Sequence, residues 1–331
     1  MQLPLLDALA HEDQTRSLDA VCLGRAGMDL YAIEHDTDLA DVSGFEKHVG
    51  GSPALIAIGM AKLGARSALV SRVSDDVIGR FVRQRVSDFG VDVQSVALDA
   101  TGTRTSLAVT EMRADGCAVV IYRNAAADLA LEPDDVDEAQ IAAARTLLVS
   151  GTALSAEPSR SAARRAIDAA VRHGTHVVLD LDYRAYTWAS TNEARDVYAR
   201  LAREAAILVG NREEFAVLGI PESATPDEVA AACLGGRTSL VFVKDGDAGS
   251  EVFSSNGHHF SQGVFDVAVT KPFGAGDAYL STILASLVSG QSLEEAVRRG
   301  AASAAIVVAG TSCAEAMPDA QQLETFLASH G

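Results

Sequence analysis

The sequence has 331 residues, of which 48% are hydrophobic and 22% charged, and its formal net charge is −18. That length allows about two domains or one large α/β domain, with a core big enough to dispense with disulfides or a structural metal. The acidic balance excludes nucleic acid as the main partner, since such binding rests on Lys and Arg neutralising phosphates, but not a small anion held by a local field.

Met1 to Ser17 lack a basic start followed by an apolar core, so they do not read as a signal peptide. Residues 1–18 are expected to form a loosely held arm. No apolar run reaches the length of about 18 residues that a membrane span needs. Cys22, Cys117, Cys233 and Cys313 stand far apart with no C-x-x-C pair, which argues against zinc and a disulfide framework and suits a reducing cytoplasm.

From residue 19 onward, short apolar runs alternate with longer amphipathic ones. Ala20–Leu23, Ser67–Val70, Thr146–Val149, His176–Leu179, Ala206–Val209 and Leu240–Val243 read as strands. Pro53–Leu63, Val77–Phe89, Pro158–His173, Glu193–Arg203 and Glu213–Leu218 read as helices between them. This order predicts βαβ units and a mostly parallel sheet covered on both faces. Two segments break the rhythm, residues 29–49 and 103–123. Both alternate polar and apolar residues, and the second has a turn at Ala114-Asp115-Gly116 that predicts an antiparallel hairpin. They are expected to form a small β-sheet flap. Ala278–Ser289, Leu293–Ala309 and Asp319–Ser329 read as closing helices.

The most informative stretch is Lys271-Pro272-Phe273-Gly274-Ala275-Gly276-Asp277. Gly274 and Gly276 let several backbone N–H groups converge just before a helix expected to begin near Ala278, and the helix N-terminus adds about half a positive charge. That is an anion site. Asp277 at its mouth is placed to accept a proton from a hydroxyl attacking a γ-phosphate. The same residues also fit a plain N-cap and turn. Asn211 and Glu214 follow the strand Ala206–Val209, where ligands collect at strand carboxyl ends. They suit a hydrated Mg²⁺, or simply a capping box. Asp29, Gly50 and Gly51 suit sugar hydroxyls, or a surface turn. Arg104, Arg123 (with Tyr122 before it) and Arg184 are candidates for a carboxylate, because the guanidinium fork pairs with it bidentately.

The early diglycine, the central Asn211-x-x-Glu214 and the late Gly274-Ala275-Gly276-Asp277 stand in the order found in the PfkB carbohydrate kinases, also called ribokinase-like kinases, and the chain resembles that family from about Asp19 to Met317. The resemblance implies a three-layer α/β/α sandwich with a mostly parallel central sheet and a β-sheet lid. It also implies ATP and Mg²⁺, with room for a monovalent cation, and a homodimer through the lid. In the roles it implies, Asp277 is the general base, and Gly274, Ala275 and Gly276 shape the phosphoryl site. Asn211 and Glu214 organise Mg²⁺ through water. Lys244, Gly246 and Ala302 border ATP. Asp29, Gly50, Gly51, Arg104, Tyr122, Arg123 and Arg184 surround the substrate. The family usually carries Asp-Thr-Thr where this chain has Lys271-Pro272-Phe273. That departure, with Ile121–Asp128, Asp180–Arg184 and Ser312–Met317, is similar to the subgroup acting on a deoxy keto sugar acid of inositol catabolism. A kinase of 2-keto-3-deoxygluconate, another sugar kinase of the family, and a non-catalytic sugar or nucleotide sensor remain alternatives. Leu55 stands where these kinases typically carry an Asn that contacts the sugar, and leucine neither donates nor accepts a hydrogen bond.

Overall fold

The computed structural model describes residues 3–10, 16–114 and 116–330. In chain order the strands are β1 (Leu18–Leu23), β2 (Gly27–His35), β3 (Phe45–Gly50), β4 (Ser67–Ser74), β5 (Val96–Asp99), β6 (Leu107–Met112), β7 (Val119–Tyr122), β8 (Ala144–Ser150), β9 (His176–Asp180), β10 (Ile207–Asn211), β11 (Leu240–Lys244), β12 (Ser250–Ser254) and β13 (His259–Gln262). The helices are α1 (Pro4–Ala10), α2 (Ser52–Lys62), α3 (Val77–Asp88), α4 (Glu138–Ala142), α5 (Ser159–His173), α6 (Thr191–Ala202), α7 (Arg212–Phe215), α8 (Pro226–Cys233), α9 (Ala275–Val288), α10 (Leu293–Ala309) and α11 (Ala320–Ser329).

Among the described residues a nine-stranded sheet runs β13-β12-β11-β10-β9-β8-β1-β4-β5. It is parallel from β11 through β5, and β12 and β13 add an antiparallel edge. Successive strand residues point to opposite faces. Ala20 and Cys22 of β1 therefore join the apolar layer under α2, α9 and α10, while Val21 and Leu23 join the layer under α5 and α6. Two cores on two faces make a three-layer sandwich. Burial on both faces also explains why the central strands read as short unbroken apolar runs.

The segments that broke the helical rhythm form a second sheet, order β3-β2-β6-β7. The hairpin of β6 and β7 is antiparallel as expected, and β2 pairs with β6 in parallel. Asp115 of the expected turn lies outside the described residues. The sheet is tied down by Glu315, whose carboxylate meets His48 of β3 at 3.1 Å and Arg85 of α3 at 3.3 Å.

Two expectations are corrected. The arm is not loose over residues 3–10: α1 buries Leu5 and Leu9, and Arg145 donates to the carbonyls of Leu9 (3.1 Å) and Val288 (2.9 Å). The last large helix pair begins earlier than its apolar run suggested. Helix α9 starts at Ala275, with Gly274 at its N-cap, so Asp277 lies in the first turn and is not the cap.

Candidate active site

The carboxyl ends of β1, β8, β9, β10 and β11 converge beneath the small sheet, the edge where parallel α/β folds bind ligands. A cavity of about 330 Å³ opens there. Its walls include Arg25 and Asp29 after β1, Thr152 after β8, Asp180 and Asp182 at the end of β9, Glu214 after β10, Lys244 of β11, and Ala108, Thr110, Val119, Ile121 and Arg123 from the small sheet. A second cavity of about 840 Å³ lies beside it, walled by Gly246, Val264, Phe265, Val269, Ala301, Ala304, Ala305 and Tyr279. Gly276 and Lys244 line both, so the two spaces meet at the start of α9.

The loop before α9 is shaped by glycine. Gly274 has φ 85°, and a Cβ there would sit 2.6 Å from Cys313 Sγ. The first helical hydrogen bond runs from Ala278 N to Gly274 O (3.1 Å), which leaves the N–H groups of Ala275, Gly276 and Asp277 without partners inside the helix. Gly50 and Gly51 are needed for a different reason. A Cβ on Gly50 would overlap the Asp29 carboxylate at 2.0 Å, and Gly51, with φ 104°, passes so close to Arg25 that a Cβ would meet its carbonyl oxygen at 2.3 Å.

Asp277 is partly buried and projects into the smaller cavity. Burial pushes its carboxyl up to about 6. Ser52 at the start of α2 donates to Asp277 Oδ1 at 2.5 Å and pulls the value back down, the Asp182 charge raises it, and Lys244 and Arg184 lower it. A carboxylate tuned near neutrality is suited to take and release a proton. Around it Lys244 Nζ lies 3.4 Å from Asp180 Oδ1 and 3.6 Å from Glu214 Oε2. Burial lifts Asp180 to about 7 against the pull of Lys244.

Asn211 and Glu214 form the capping box: Glu214 N donates to Asn211 Oδ1 at 2.8 Å and Asn211 N to Glu214 Oε2 at 2.9 Å. The cap leaves Glu214 Oε1 facing Arg184 at 3.8 Å, so one residue closes the helix and lines the cavity. No cluster of three or more His, Cys, Asp or Glu suited to hold a metal directly occurs among the described residues. Asp180, Asp182 and Glu214 line the cavity, each paired with Lys244 or Arg184, and offer carboxylate oxygens of the kind that reach Mg²⁺ through its waters.

Arg123 lines the smaller cavity with Nε and Nη2 on Asp128 (2.9 and 2.5 Å) and Nη2 on Thr152 O (3.1 Å). Arg184 lines it too, 2.7 Å from Asp182. Other expected residues are not brought in. Arg104, in the loop before β6, is exposed and pairs at 3.0 Å with Asp76, the N-cap of α3. Tyr122 is exposed at the end of the edge strand β7. Ala302 is fully buried, since it points from α10 towards α11, while its helical neighbours Ala301 and Ala305 face the larger cavity. Leu55 does line the smaller cavity, an apolar patch in a polar wall.

Sequence reasoning missed Arg25, Ser52, Asp180, Asp182, Tyr31 and Cys313 in that wall. Asp180 and Asp182 carried a signal, two carboxylates at the end of a buried strand. Arg25 carried one as well, a lone basic residue directly after the first strand's glycine. Ser52 and Cys313 carried none.

A scan against family models matches the pfkB family carbohydrate kinase model over residues 17–320, and the chain belongs to that family. These are phosphotransferases acting on a sugar hydroxyl, and the sheet and lid described above are their ribokinase-like fold. Among curated relatives, the 5-dehydro-2-deoxygluconokinase of Photobacterium profundum is 46% identical over 317 residues, covering 95% of this chain and 96% of that one. Among solved structures, a PfkB protein from Polaromonas sp. JS666 is 29% identical with a TM-score of 0.80, covering 91% of this chain and 99% of that one. A double-mutant fructokinase from Vibrio cholerae O395, solved with fructose, ADP and potassium ion bound, is 26% identical with a TM-score of 0.82 and covers 94% of this chain and 99% of that one.

Proposed function

We propose that this kinase transfers the γ-phosphoryl group of ATP to the terminal hydroxyl of 5-dehydro-2-deoxy-D-gluconate. The observation that carries the chemistry is Asp277, a carboxylate held near neutrality at the point where the two cavities meet the unpaired N–H groups of α9. The name of the 46% identical relative supports the substrate, and so does a cavity that holds Arg25, Arg123 and Arg184 in a strongly acidic chain.

In this reading the larger cavity takes ATP, its adenine against Val264, Phe265, Ala301 and Ala305 and its phosphates towards Gly246, Lys244 and Gly276. The sugar acid lies in the smaller cavity. Asp29 meets its hydroxyls above Gly50 and Gly51, and Arg123 and Arg184 meet its carboxylate. Asp277 removes the hydroxyl proton as the oxygen attacks the γ-phosphorus. The bond from that phosphorus to the β–γ bridging oxygen breaks, and ADP leaves. The N–H groups of Ala275, Gly276 and Asp277 receive the developing charge. Asn211, Glu214, Asp180 and Asp182 would hold Mg²⁺ through water, and bound Mg²⁺ neutralises phosphate charge. The small sheet covers the reactants and excludes water.

The test is a panel of sugar acids and neutral sugars with direct detection of ADP. Highest kcat/KM on the named acid supports the reading. Preference for 2-keto-3-deoxygluconate or a neutral sugar replaces the substrate, and absence of turnover on every compound favours a sensor.

We also propose a homodimer through the small sheet and residence in the cytoplasm. The first is supported by Ile33, Val119, Val120 and Ile121, apolar side chains left exposed on that sheet, and light scattering of the purified chain tests it. The second is supported by the free cysteines Cys22, Cys117, Cys233 and Cys313. No helix among the described residues is long and apolar enough to cross a membrane.

A further inference from the structure

Lys271 is fully buried, although lysine is among the residues least often found so. Its Nζ donates to Phe273 O at 3.0 Å and Val307 O at 3.1 Å, and lies 3.5 Å from Cys313 Sγ and 4.8 Å from the centre of the Phe273 ring. Among the described residues no carboxylate pairs with it within 4.0 Å. Three acceptors match the three donors of an ammonium. Burial pushes the Cys313 thiol up to about 11, which keeps it neutral, and burial also lowers the Lys271 ammonium from its usual value, a shift that the contacts with Cys313 and the Asp277 charge oppose.

The location gives this charge a task. Val307 lies in the last turn of α10, at the negative end of the helix dipole, and its carbonyl oxygen takes the Lys271 ammonium in addition to the capping N–H of Gly310 at 3.2 Å. Phe273 lies in the loop that leads into the positive end of α9. Carbonyls left without a cation here would face the anion loop and oppose the phosphates it has to receive. Carbonyl oxygens converging on one point are also the coordination that replaces the hydration shell of K⁺.

We infer that the Lys271 ammonium is a tethered monovalent cation: it fills the carbonyl cage between α10 and the anion loop, holds residues 273–277 in register for phosphoryl transfer, and frees the reaction from any need for an added alkali cation. Lys271 is on this view a positioning residue that does not touch substrate. Tyr31 extends its reach, donating to Cys313 Sγ at 3.2 Å and lying 3.4 Å from Asp29 Oδ2, so the cage is linked to the sugar side of the cavity.

The inference rests on the kinase reading, and the experiment separates the two. Turnover is measured by direct chromatography of ADP in tetramethylammonium buffer, so that no coupling enzyme brings its own cation requirement. KCl is then added to about 0.1 M. The unaltered protein should show the same kcat with and without KCl. Lys271→Ala should lose at least about tenfold in kcat without K⁺, with little change in the KM of the sugar acid, and should regain activity with K⁺ or methylammonium but not with Li⁺. Lys271→Met fills the cage without charge and should lose activity that no cation restores. A saturable rise of the unaltered protein's kcat with KCl overturns the inference, whether or not the variants fold. So does full activity of folded Lys271→Met in K⁺-free buffer. Absence of turnover under every cation instead overturns the kinase reading itself.

Discussion

The two cavities that meet at Gly276 differ in how the chain builds them. The larger takes its wall, apart from Ala114 and Asn211, from residues between Lys244 and Val308, and much of that wall is Gly, Ala and Val. The smaller collects residues from Arg25 to Cys313, from five strand ends and the small sheet, and is lined by paired ions. In the proposed reading the larger cavity is a nucleotide site made by one sequence-local unit, a reusable socket. In the same reading the smaller cavity is a substrate site made by many distant segments, where specificity accumulates because each segment can vary alone. The ions also show how an acidic chain would bind the two anions proposed: each arginine is already oriented by a carboxylate, so a substrate carboxylate would meet a preset fork rather than the net charge.

Asp277→Asn tests the junction and should have the largest effect. It is expected to lower kcat by about 10²–10⁴-fold while leaving the KM of ATP nearly unchanged, read from steady-state kinetics. The same substitution has a second signature. Because burial raises the Asp277 carboxyl from 3.8 to about 6, the folded chain binds that proton more tightly than the unfolded chain. Ionising Asp277 therefore costs stability above about pH 6, and the cost fades as pH falls towards 3.8. Asp277→Asn should melt higher than the unaltered protein at pH 8, and the gap should close near pH 4.

Arg184→Ala addresses the smaller cavity alone. Losing a charge-assisted hydrogen bond of about 1.5–3 kcal/mol should raise the KM for sugar acids roughly 10–100-fold and leave neutral sugars unaffected. Equal losses for both would remove the carboxylate assignment. Ala305→Leu addresses the larger cavity. It crowds the apolar wall and should raise the KM of ATP about tenfold without moving that of the sugar acid. A parallel rise in both constants would show that the two spaces are energetically one. The smallest effect is expected from Ser52→Ala. Ser52 favours the ionised form of Asp277, so its loss should move the acid limb of kcat/KM, centred near pH 6, upward by a fraction of a unit.

Legibility in the sequence followed locality. The parallel strands other than the edge strand β5 were readable because each is buried on both faces, and Gly274 to Asp277 was readable because glycine spacing and a helix start lie within a few residues. The antiparallel strands β12 and β13 were not read, since β12 carries Ser250, Glu251 and Ser254 among its apolar residues, β13 is largely exposed, and neither shows an unbroken apolar run or a following helix. Among the arginines the sequence held no way to choose. Arg104 and Arg123 flank the same hairpin, yet Arg104 is drawn outward to Asp76 and Arg123 inward to Asp128. Each choice depends on a carboxylate from another turn of the chain.

By itself, then, the sequence determined the layered α/β plan and the glycine loop Gly274–Asp277 ahead of a helix, because hydrophobic periodicity and glycine geometry act over a few residues. Only the tertiary structure decided that Ser52 holds Asp277, that Asp180, Asp182, Glu214 and Lys244 form one charged floor, and that Lys271 is caged by carbonyls of Phe273 and Val307. The net charge of −18 gave no hint of these arrangements, because a sum over the chain carries no positions, whereas a binding site depends on charges a few ångströms apart in a desolvated space.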